Sequence, residues 1–258
     1  MKVVADHKVV NIQYFSEENY VIQMESPVDI PKIKPGNFAE IKVDNTPGVF
    51  LRRPFSILDV DYENKLISFY VKVIGKGTRY IGLYEIGDQI NLIYPLGNSF
   101  TVSDKDRKVL IVGGGSGIAP FILLGKEMVK NGIEATFLIG GRSQRDIILT
   151  KEFAKYGDVL VTTEDGSLGE KGLVTQHSVF ISPQFKYDRI YACGPDPMMK
   201  AVAIIAQQKE ITCEVSLENT MACGFGICLC CVTATQEGNK RVCLEGPVFN
   251  SRYLKWQI

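Results

Sequence analysis

The 258-residue sequence predicts an antiparallel β-barrel, then a parallel-sheet α/β domain, then a small cysteine-rich subdomain. Three observations carry that reading. Up to about residue 100 the chain is short runs of Val, Ile, Phe and Tyr separated by turn clusters. From Arg107 onward, apolar strands end in glycine and alternate with segments of helical length. Beyond residue 219, cysteines crowd together: 223, 228, 230, 231 and 243.

In the first region the predicted strands are "HKVVNIQYF", "NYVIQM", "NFAEIKV", "RPFSILDV", "KLISFYVKVI" and "DQINLIY". The turn clusters "SEEN", "KPGN", "DNTPG", "YENK" and "GKGT" separate them, and strands at this spacing suggest a barrel or sandwich. One short helix is expected in "TRYIGLYEIG". In the second region "KVLIVGGG" and "ATFLIGG" are continuous apolar strands, with the helix "APFILLGKEMVKNG" between them ending at Gly132. "DVLVTTEDGS" and "RIYACGPD" repeat the strand-then-loop form, and "PMMKAVAIIAQQKEI" supplies a further helix. A parallel sheet with helices on its faces follows, with "TCEVSLEN" as its last strand. The expected units are 1–102, 103–218 and 219–258, abutting closely because no flexible linker or repeat separates them. The last is too short and loop-rich for an ordinary core, so a metal centre is expected to hold it together.

Lys plus Arg equals Asp plus Glu at 29 each, so no net field draws the chain to nucleic acid or an anionic membrane. The start has no apolar signal segment, and no run approaches the ~20 apolar residues of a membrane span. A cytoplasmic location is expected. Disulfides are disfavoured there, which directs the cysteines toward metal or redox chemistry.

The loop "GGGSGIAP", 113–120, joins a predicted strand to a predicted helix. Its glycines Gly113, Gly115 and Gly117 would let the backbone approach a pyrophosphate, while the free N–H groups of the helix start favour negative charge. Pro120 stands where the usual fingerprint has glycine, and a plain tight turn is the alternative. The loops "GGRSQRD", "TEDGS" and "CGPDPMM" also follow predicted strands, so four loops should converge on one crevice at the carboxyl ends of the sheet. Asp165 could meet a nucleotide ribose or stabilise a turn. Cys193, followed by Gly194, could approach a nicotinamide ring or be a small buried residue. Arg142 and Arg145 could meet a 2′-phosphate, which leaves NAD and NADP undistinguished.

In the barrel, "RRPFSI" sets Arg53 and Ser56 on one short segment. An arginine pairs with phosphate and a serine hydroxyl with a ring nitrogen, although an exposed charge and an ordinary strand hydroxyl are the plain alternative. "VIGKGT" offers Gly75, Gly77 and Thr78 as a phosphate-holding turn or a simple hairpin. His7 and His177 have no catalytic neighbour in sequence and are expected to be structural or at the surface. Trp256 could anchor a partner or close the local core.

Cys223, Cys228 and Cys231 stand as C-x4-C-x2-C, the plant-type [2Fe–2S] spacing, with Cys243 as the fourth ligand. Gly224 and Gly226 suit a loop that wraps a cluster closely. Cys228-x-Cys230 is another possible chelate. Because adjacent side chains of an extended segment diverge, Cys231 is taken as the ligand and Cys230 as a small packed residue. Structural zinc is the alternative, but it ordinarily uses two C-x2-C pairs and only one is present.

Together, "RPFS", "GKGT", "GGGSGIAP", "CGPDPMM" and the cysteine array resemble the ferredoxin-reductase superfamily. More narrowly, across essentially the whole length, the chain resembles the electron transfer subunits of type B dihydroorotate dehydrogenases, most specifically in "MACGFGICLCC…VCLEGPVF". The resemblance implies FAD between the two larger domains, held by Arg53, Pro54, Phe55 and Ser56, by Tyr70, Val71 and Lys72, and by Gly77 and Thr78. It implies a [2Fe–2S] cluster on Cys223, Cys228, Cys231 and Cys243, and NAD as the final acceptor. It also implies a partner: an FMN-containing TIM-barrel subunit that oxidises dihydroorotate to orotate in pyrimidine synthesis, in a heterotetramer of two of each chain. The alternatives are a ferredoxin:NAD(P)+ oxidoreductase subunit of another complex and a zinc-stabilised nucleotide-binding module.

Overall fold

The computed structural model describes residues 1–44 and 47–256; the middle of the predicted turn "DNTPG", Asn45 and Thr46, lies outside them. Six strands form the closed barrel: β1 (Val3–Tyr14), β2 (Asn19–Glu25), β3 (Phe38–Ile41), β4 (Arg53–Asp61), β5 (Leu66–Lys72) and β6 (Gln89–Leu96), in the order β1-β2-β5-β4-β3-β6. Alternation places Tyr20, Ile22 and Met24 of β2 and Ile67, Phe69 and Val71 of β5 in its core. His7 is buried there, sharing a hydrogen bond with the Tyr94 hydroxyl at 3.0 Å, which is the structural role expected of it. The short helix of this region is α1 (Lys76–Ile81).

The second sheet is built on β7 (Lys108–Gly114), β8 (Glu134–Gly141), β9 (Asp158–Thr163), the two-residue β10 (Glu170–Lys171), β11 (Arg189–Cys193) and β12 (Thr212–Ser216), all parallel. Its central strands read as unbroken apolar runs because both faces are covered. On one face, α2 (Phe121–Lys130) sets Phe121, Leu124 and Met128 against Val109, Ile111 and Phe137; α3 (Thr150–Phe153) adds Phe153. On the other, α4 (Asp196–Gln208) sets Met199, Val202 and Ala206 against Leu110, Val112 and Ile190. As expected, α2 stops at Asn131 and Gly132, whose φ of +67° suits glycine.

The tail departs from expectation in two respects. It forms a small hairpin, β13 (Val232–Thr235) with β14 (Gly238–Arg241), then α5 (Val242–Glu245) and β15 (Val248–Asn250). β15 pairs antiparallel with β12, so "TCEVSLEN" is not the last strand; the tail covers what would otherwise be an open sheet edge. Burial also holds the tail in place, contrary to the expectation of a metal centre alone, since Cys231, Val242, Cys243 and Leu254 join the core of the α4 face. Trp256 packs half-buried against that same core. Asn98 fastens the tail to the barrel exit: its side-chain amide donates to the Glu245 and Val248 carbonyls and accepts the Val248 N–H, each at 2.9 Å.

A nearly buried ion network secures the connection between barrel and sheet. Arg189 on β11 donates to Asp106 at 2.7 Å and faces Glu214 at 3.7 Å, and Glu214 accepts the Thr101 N–H at 2.8 Å. Arg189→Met leaves two carboxylates without their cation, and such broken buried networks cost about 3–5 kcal/mol. Urea unfolding should register that loss, and Arg189→Met with Asp106→Asn and Glu214→Gln should recover most of it.

Candidate functional site

Of the clefts along the junction of barrel and sheet, two hold the residues singled out in sequence, and a thiol cluster lies beside the first. The first cleft has a volume of about 480 Å³. Arg53, Pro54, Phe55 and Ser56 of β4 form one wall, with Tyr70, Lys72 and Thr78 beside them. Ser116 of the glycine loop and residues 216–221 form the opposite wall. The two arginines of "RRPFSI" separate by role. Arg52 is committed to the barrel through the Glu40 and Asn91 carbonyls, whereas among the described residues Arg53 donates through Nη1 to the carbonyls of Leu51 and Arg52. Gly77 lets Arg53 lie flat, because a Cβ there would stand 2.8 Å from the Arg53 Nε. The Thr78 hydroxyl accepts the Ile74 and Gly75 N–H groups and so shapes the start of α1. Tyr70 is buried and donates to Asn19 at 2.6 Å. Val71 points into the barrel core, so only its backbone can serve the cleft.

The second cleft, about 390 Å³, is where the four loops after β7, β8, β9 and β11 converge, with Gly114 and Gly115, Gly141 and Arg142, Glu164, and Pro195 among its walls. Gly113 and Gly117 serve close packing. A Cβ on Gly113 would be 2.7 Å from Ile118, and one on Gly117 only 2.3 Å from the Cys193 carbonyl oxygen. Gly194 likewise lies against Gly114, and Pro120 caps α2. Asp165 takes the turn role: its carboxylate accepts the Ser167 N–H at 2.9 Å and hydroxyl at 2.6 Å, which lowers its pKa. Arg142 pairs with Asp146, which also takes Lys72 at 2.9 Å across the domain boundary.

Between the clefts, the Cys193 thiol is buried and lies 3.8 Å from a Glu218 oxygen. Burial first, then Glu218, holds the thiol well above its ordinary pKa. Glu218 opens onto the first cleft, but surrounding protein raises its carboxyl pKa. Sequence reasoning missed Glu218 although it sits just past the carboxyl end of β12, where the rule that located the glycine loops would have found it.

The thiol cluster follows directly, since residues 216–221 lead into Cys223. The Phe225 N–H points at the Cys223 sulfur at 3.4 Å, the Gly226 N–H at Cys243 at 3.1 Å, and the Cys243 N–H at Cys231 at 3.3 Å. Gly224 and Gly226 have φ of +70° and +76°, which brings those amides inward. Arg241 clamps the loop by donating to the Gly226 carbonyl while paired with Glu245. Burial opposes ionisation of Cys223, but N–H groups of Cys228, Phe225 and Ile227 outweigh it and bring its pKa to about 6. Burial and the neighbouring Cys231 push Cys243 to about 12. Among the described residues no three His, Cys, Asp or Glu side chains close on a single-ion site. Cys223, Cys231 and Cys243 instead share one loop system through the N–H groups aimed at their sulfurs, and with Cys228 on the same loop they make a four-thiol donor set of the kind that suits a two-iron cluster. Cys230 is exposed, its sulfur 3.7 Å from the Thr220 carbonyl, which corrects the expectation of a packed residue.

One further group escaped the sequence. Glu40 on β3 is fully buried, and neither carboxylate oxygen has a hydrogen-bond partner among the described residues. Burial raises its pKa to about 7; Arg52 opposes this and Cys223 adds to it. Its side chain lies where a Cβ on Gly224 would fall, 2.8 Å from Glu40 Cγ, so it separates the arginine strand from the thiol loop. Strand alternation from Phe38, which lines the first cleft, was the available signal.

Comparison with known proteins agrees with this geometry. A family model described as the iron-sulfur cluster binding domain of dihydroorotate dehydrogenase B matches residues 218–255, and an oxidoreductase NAD-binding domain model matches 111–203. The dihydroorotate dehydrogenase B (NAD(+)) electron transfer subunit of Desulforamulus reducens is 34% identical over 263 residues, covering 100% of both chains. That of Caldanaerobacter subterraneus is 40% identical over 222 residues, 84% of this chain and 85% of the relative. Among solved structures, the NADH-dependent reduced ferredoxin-NADP oxidoreductase is similar with a TM-score of 0.89 and 31% identity, over 98% of this chain and 90% of that one. A ferredoxin NADP+ reductase from Neisseria gonorrhoeae with bound FAD and NADP shares the fold, with a TM-score of 0.66 and 16% identity over 80% of this chain and 91% of that one.

Proposed function

This chain belongs to the family of dihydroorotate dehydrogenase B electron transfer subunits, and on that premise we propose that it carries electrons from a partner catalytic subunit to NAD+. The single observation that carries the reading is contiguity. Residues 216–221 line the first cleft and run straight into the thiol loop, so a flavin and a cluster held here are neighbours.

FAD supplies the exchange of single electrons with the [2Fe–2S] cluster and of electron pairs with a nicotinamide. The chain's own residues position and insulate. Arg53 would offer its guanidinium to the FAD pyrophosphate and Ser56 its hydroxyl to the ring, while Tyr70, Pro54 and Phe55 would line the flavin from the barrel side. The glycine loop after β7 presents backbone N–H groups to the NAD pyrophosphate, and Gly117 lets that loop press on β11. Lys72 and Asp146 hold the two domains in register across the junction of the clefts. Cys223, Cys228, Cys231 and Cys243 would hold the cluster, and the Phe225 and Gly226 amides, aimed at the Cys223 and Cys243 sulfurs, would stabilise their negative charge. Glu218, which lines the first cleft and whose carboxyl pKa is raised by desolvation, would be able to hold a proton there, with the buried Cys193 thiol behind it.

The partner is proposed to be an FMN-containing TIM barrel that oxidises dihydroorotate to orotate, two copies of each chain assembling in the cytoplasm. Exposed apolar side chains around the thiols, Ile227 at 81% and Leu229 at 61%, support docking at that face. Among the described residues, no helix is long and apolar enough to cross a membrane. Anaerobic purification followed by flavin and metal analysis tests the cofactor set: FAD and about two iron atoms per chain are expected, with a rhombic [2Fe–2S] resonance after reduction. A colourless protein containing zinc would overturn the reading.

A further inference from the structure

One carboxylate holds a cation from each of the two larger domains. Asp146, in the loop after β8, takes the Lys72 ammonium of β5 on Oδ1 at 2.9 Å. Its Oδ2 accepts from Arg142 of its own loop, from the backbone N–H at 3.3 Å and from Nε at 3.4 Å. The Lys72 and Asp146 side chains are only 18% and 9% exposed, so water and salt screen their attraction little. Among the described residues Lys72 alone lines both clefts, and Asp146 and Arg142 line the second. Another ion pair, Lys126 of α2 with Asp59 of β4, joins the same two domains, but it is 37% and 36% exposed and lines neither of these clefts.

We propose that Asp146 is a positioning residue for hydride transfer, setting through Lys72 how the flavin cleft faces the nucleotide cleft. The inference rests on the reading that the first cleft holds FAD and the second the pyridine nucleotide. In the direction used for the test, a C–H bond breaks on the nicotinamide ring and an N–H bond forms on the flavin ring. NADH becomes NAD+, and the flavin keeps the hydrogen with its electron pair. The two rings are carried by different domains, and the reacting atoms must come within about 3–3.5 Å. An ion pair at the junction of the clefts restrains that separation directly, whereas one remote from it restrains only the domains. Asp146 also withholds both cations from the nucleotide. Without it, Lys72 and Arg142 are free to meet a pyrophosphate, so binding is kept while alignment is lost.

The test uses the FAD- and cluster-loaded protein without a catalytic partner. Flavin content is measured first, then the rate of flavin reduction at saturating NADH and the long-wavelength charge-transfer absorbance of the flavin–nicotinamide pair. Calorimetric binding of ADP-ribose, which carries the pyrophosphate without the reacting ring, is measured alongside. Asp146→Ala should slow reduction at least about tenfold and weaken the charge-transfer absorbance, since a misplacement of about 1 Å can cost ~100-fold. It should bind ADP-ribose no more weakly than wild type, a loss in kcat without a rise in KM. Lys72→Met should slow reduction to a similar degree and the double variant no further, because the two side chains act as one unit. Lys126→Met, which breaks the pair remote from the clefts, should keep the wild-type rate and absorbance. A wild-type rate in Asp146→Ala, or equal slowing in Lys126→Met, overturns the proposal and leaves the reading of the clefts intact. Should Asp146→Ala not fold, FAD-loaded Lys72→Met carries the same expectation and the same refutation. Wild type that holds FAD but is not reduced by NADH overturns both.

Discussion

Replacing Cys231 by serine is expected to abolish the [2Fe–2S] resonance and to lower electron transfer from the partner to NAD+ by more than about 100-fold, beyond the range of outer-shell changes at metal sites. The side chain is buried, and its sulfur accepts the Cys243 N–H at 3.3 Å, which sets it beside the fourth thiol. Serine is close in size but its hydroxyl ionises far less readily than a thiol, so one iron loses a ligand while the packing changes little. NADH oxidation with ferricyanide should persist, because Arg53, Ser56 and the glycine loop lie on other elements. Cys230→Ser should leave the resonance unchanged, since that thiol is exposed and turned to the Thr220 carbonyl. A resonance lost in Cys230→Ser and retained in Cys231→Ser would reverse the ligand assignment.

Gly117→Ala should act on the other half of the relay. The added Cβ would lie 2.3 Å from the Cys193 carbonyl oxygen and 2.4 Å from the Cys193 carbon and the Gly194 nitrogen. These are backbone atoms, so no side chain can swing aside. The loop must lift off β11 at a cost of about 1–3 kcal/mol, typical of overpacking. A melting temperature lower by roughly 3–10 °C follows for a chain of this size. Misplacing the phosphate-binding amides by even about 1 Å can slow a reaction ~100-fold, so NADH should reduce the flavin that much more slowly. Reduction by dithionite and the cluster resonance should be untouched. Unchanged NADH kinetics in a variant of unchanged stability would refute the role given to this loop.

These two sites were legible in the sequence to different depths. The barrel could be read because its strands alternate, as in β2, where Tyr20, Ile22 and Met24 face inward. The parallel sheet could be read because β7 and β8 are apolar throughout and end in glycine. The divergence of adjacent side chains separates Cys230 from Cys231, and the structure buries Cys231; but Cys230, expected to be packed, is exposed, as is Cys228, so burial does not follow the spacing. What sequence could not supply was long-range. β15 meets β12 across more than thirty intervening residues, so neither the antiparallel edge nor the burial of Val242 and Leu254 follows from local pattern. Glu40 and Glu218 gain their meaning only from the loops folded against them. Asp165 and Glu164 are neighbours with the same charge. The Asp-Gly-Ser turn claims the first and leaves the second facing the cleft, a division that depends on turn geometry.

The central claim is that electrons enter at the thiol cluster from a catalytic partner and leave as NADH from the second cleft. It is tested most directly by mixing the intact complex, purified with its partner under anaerobic conditions, with dihydroorotate and NAD+ and following both products. Orotate and NADH forming in equal amounts, with loss of that coupling in Cys231→Ser, is the predicted result. An intact, flavin- and iron-loaded complex that forms no orotate while still oxidising NADH would contradict it.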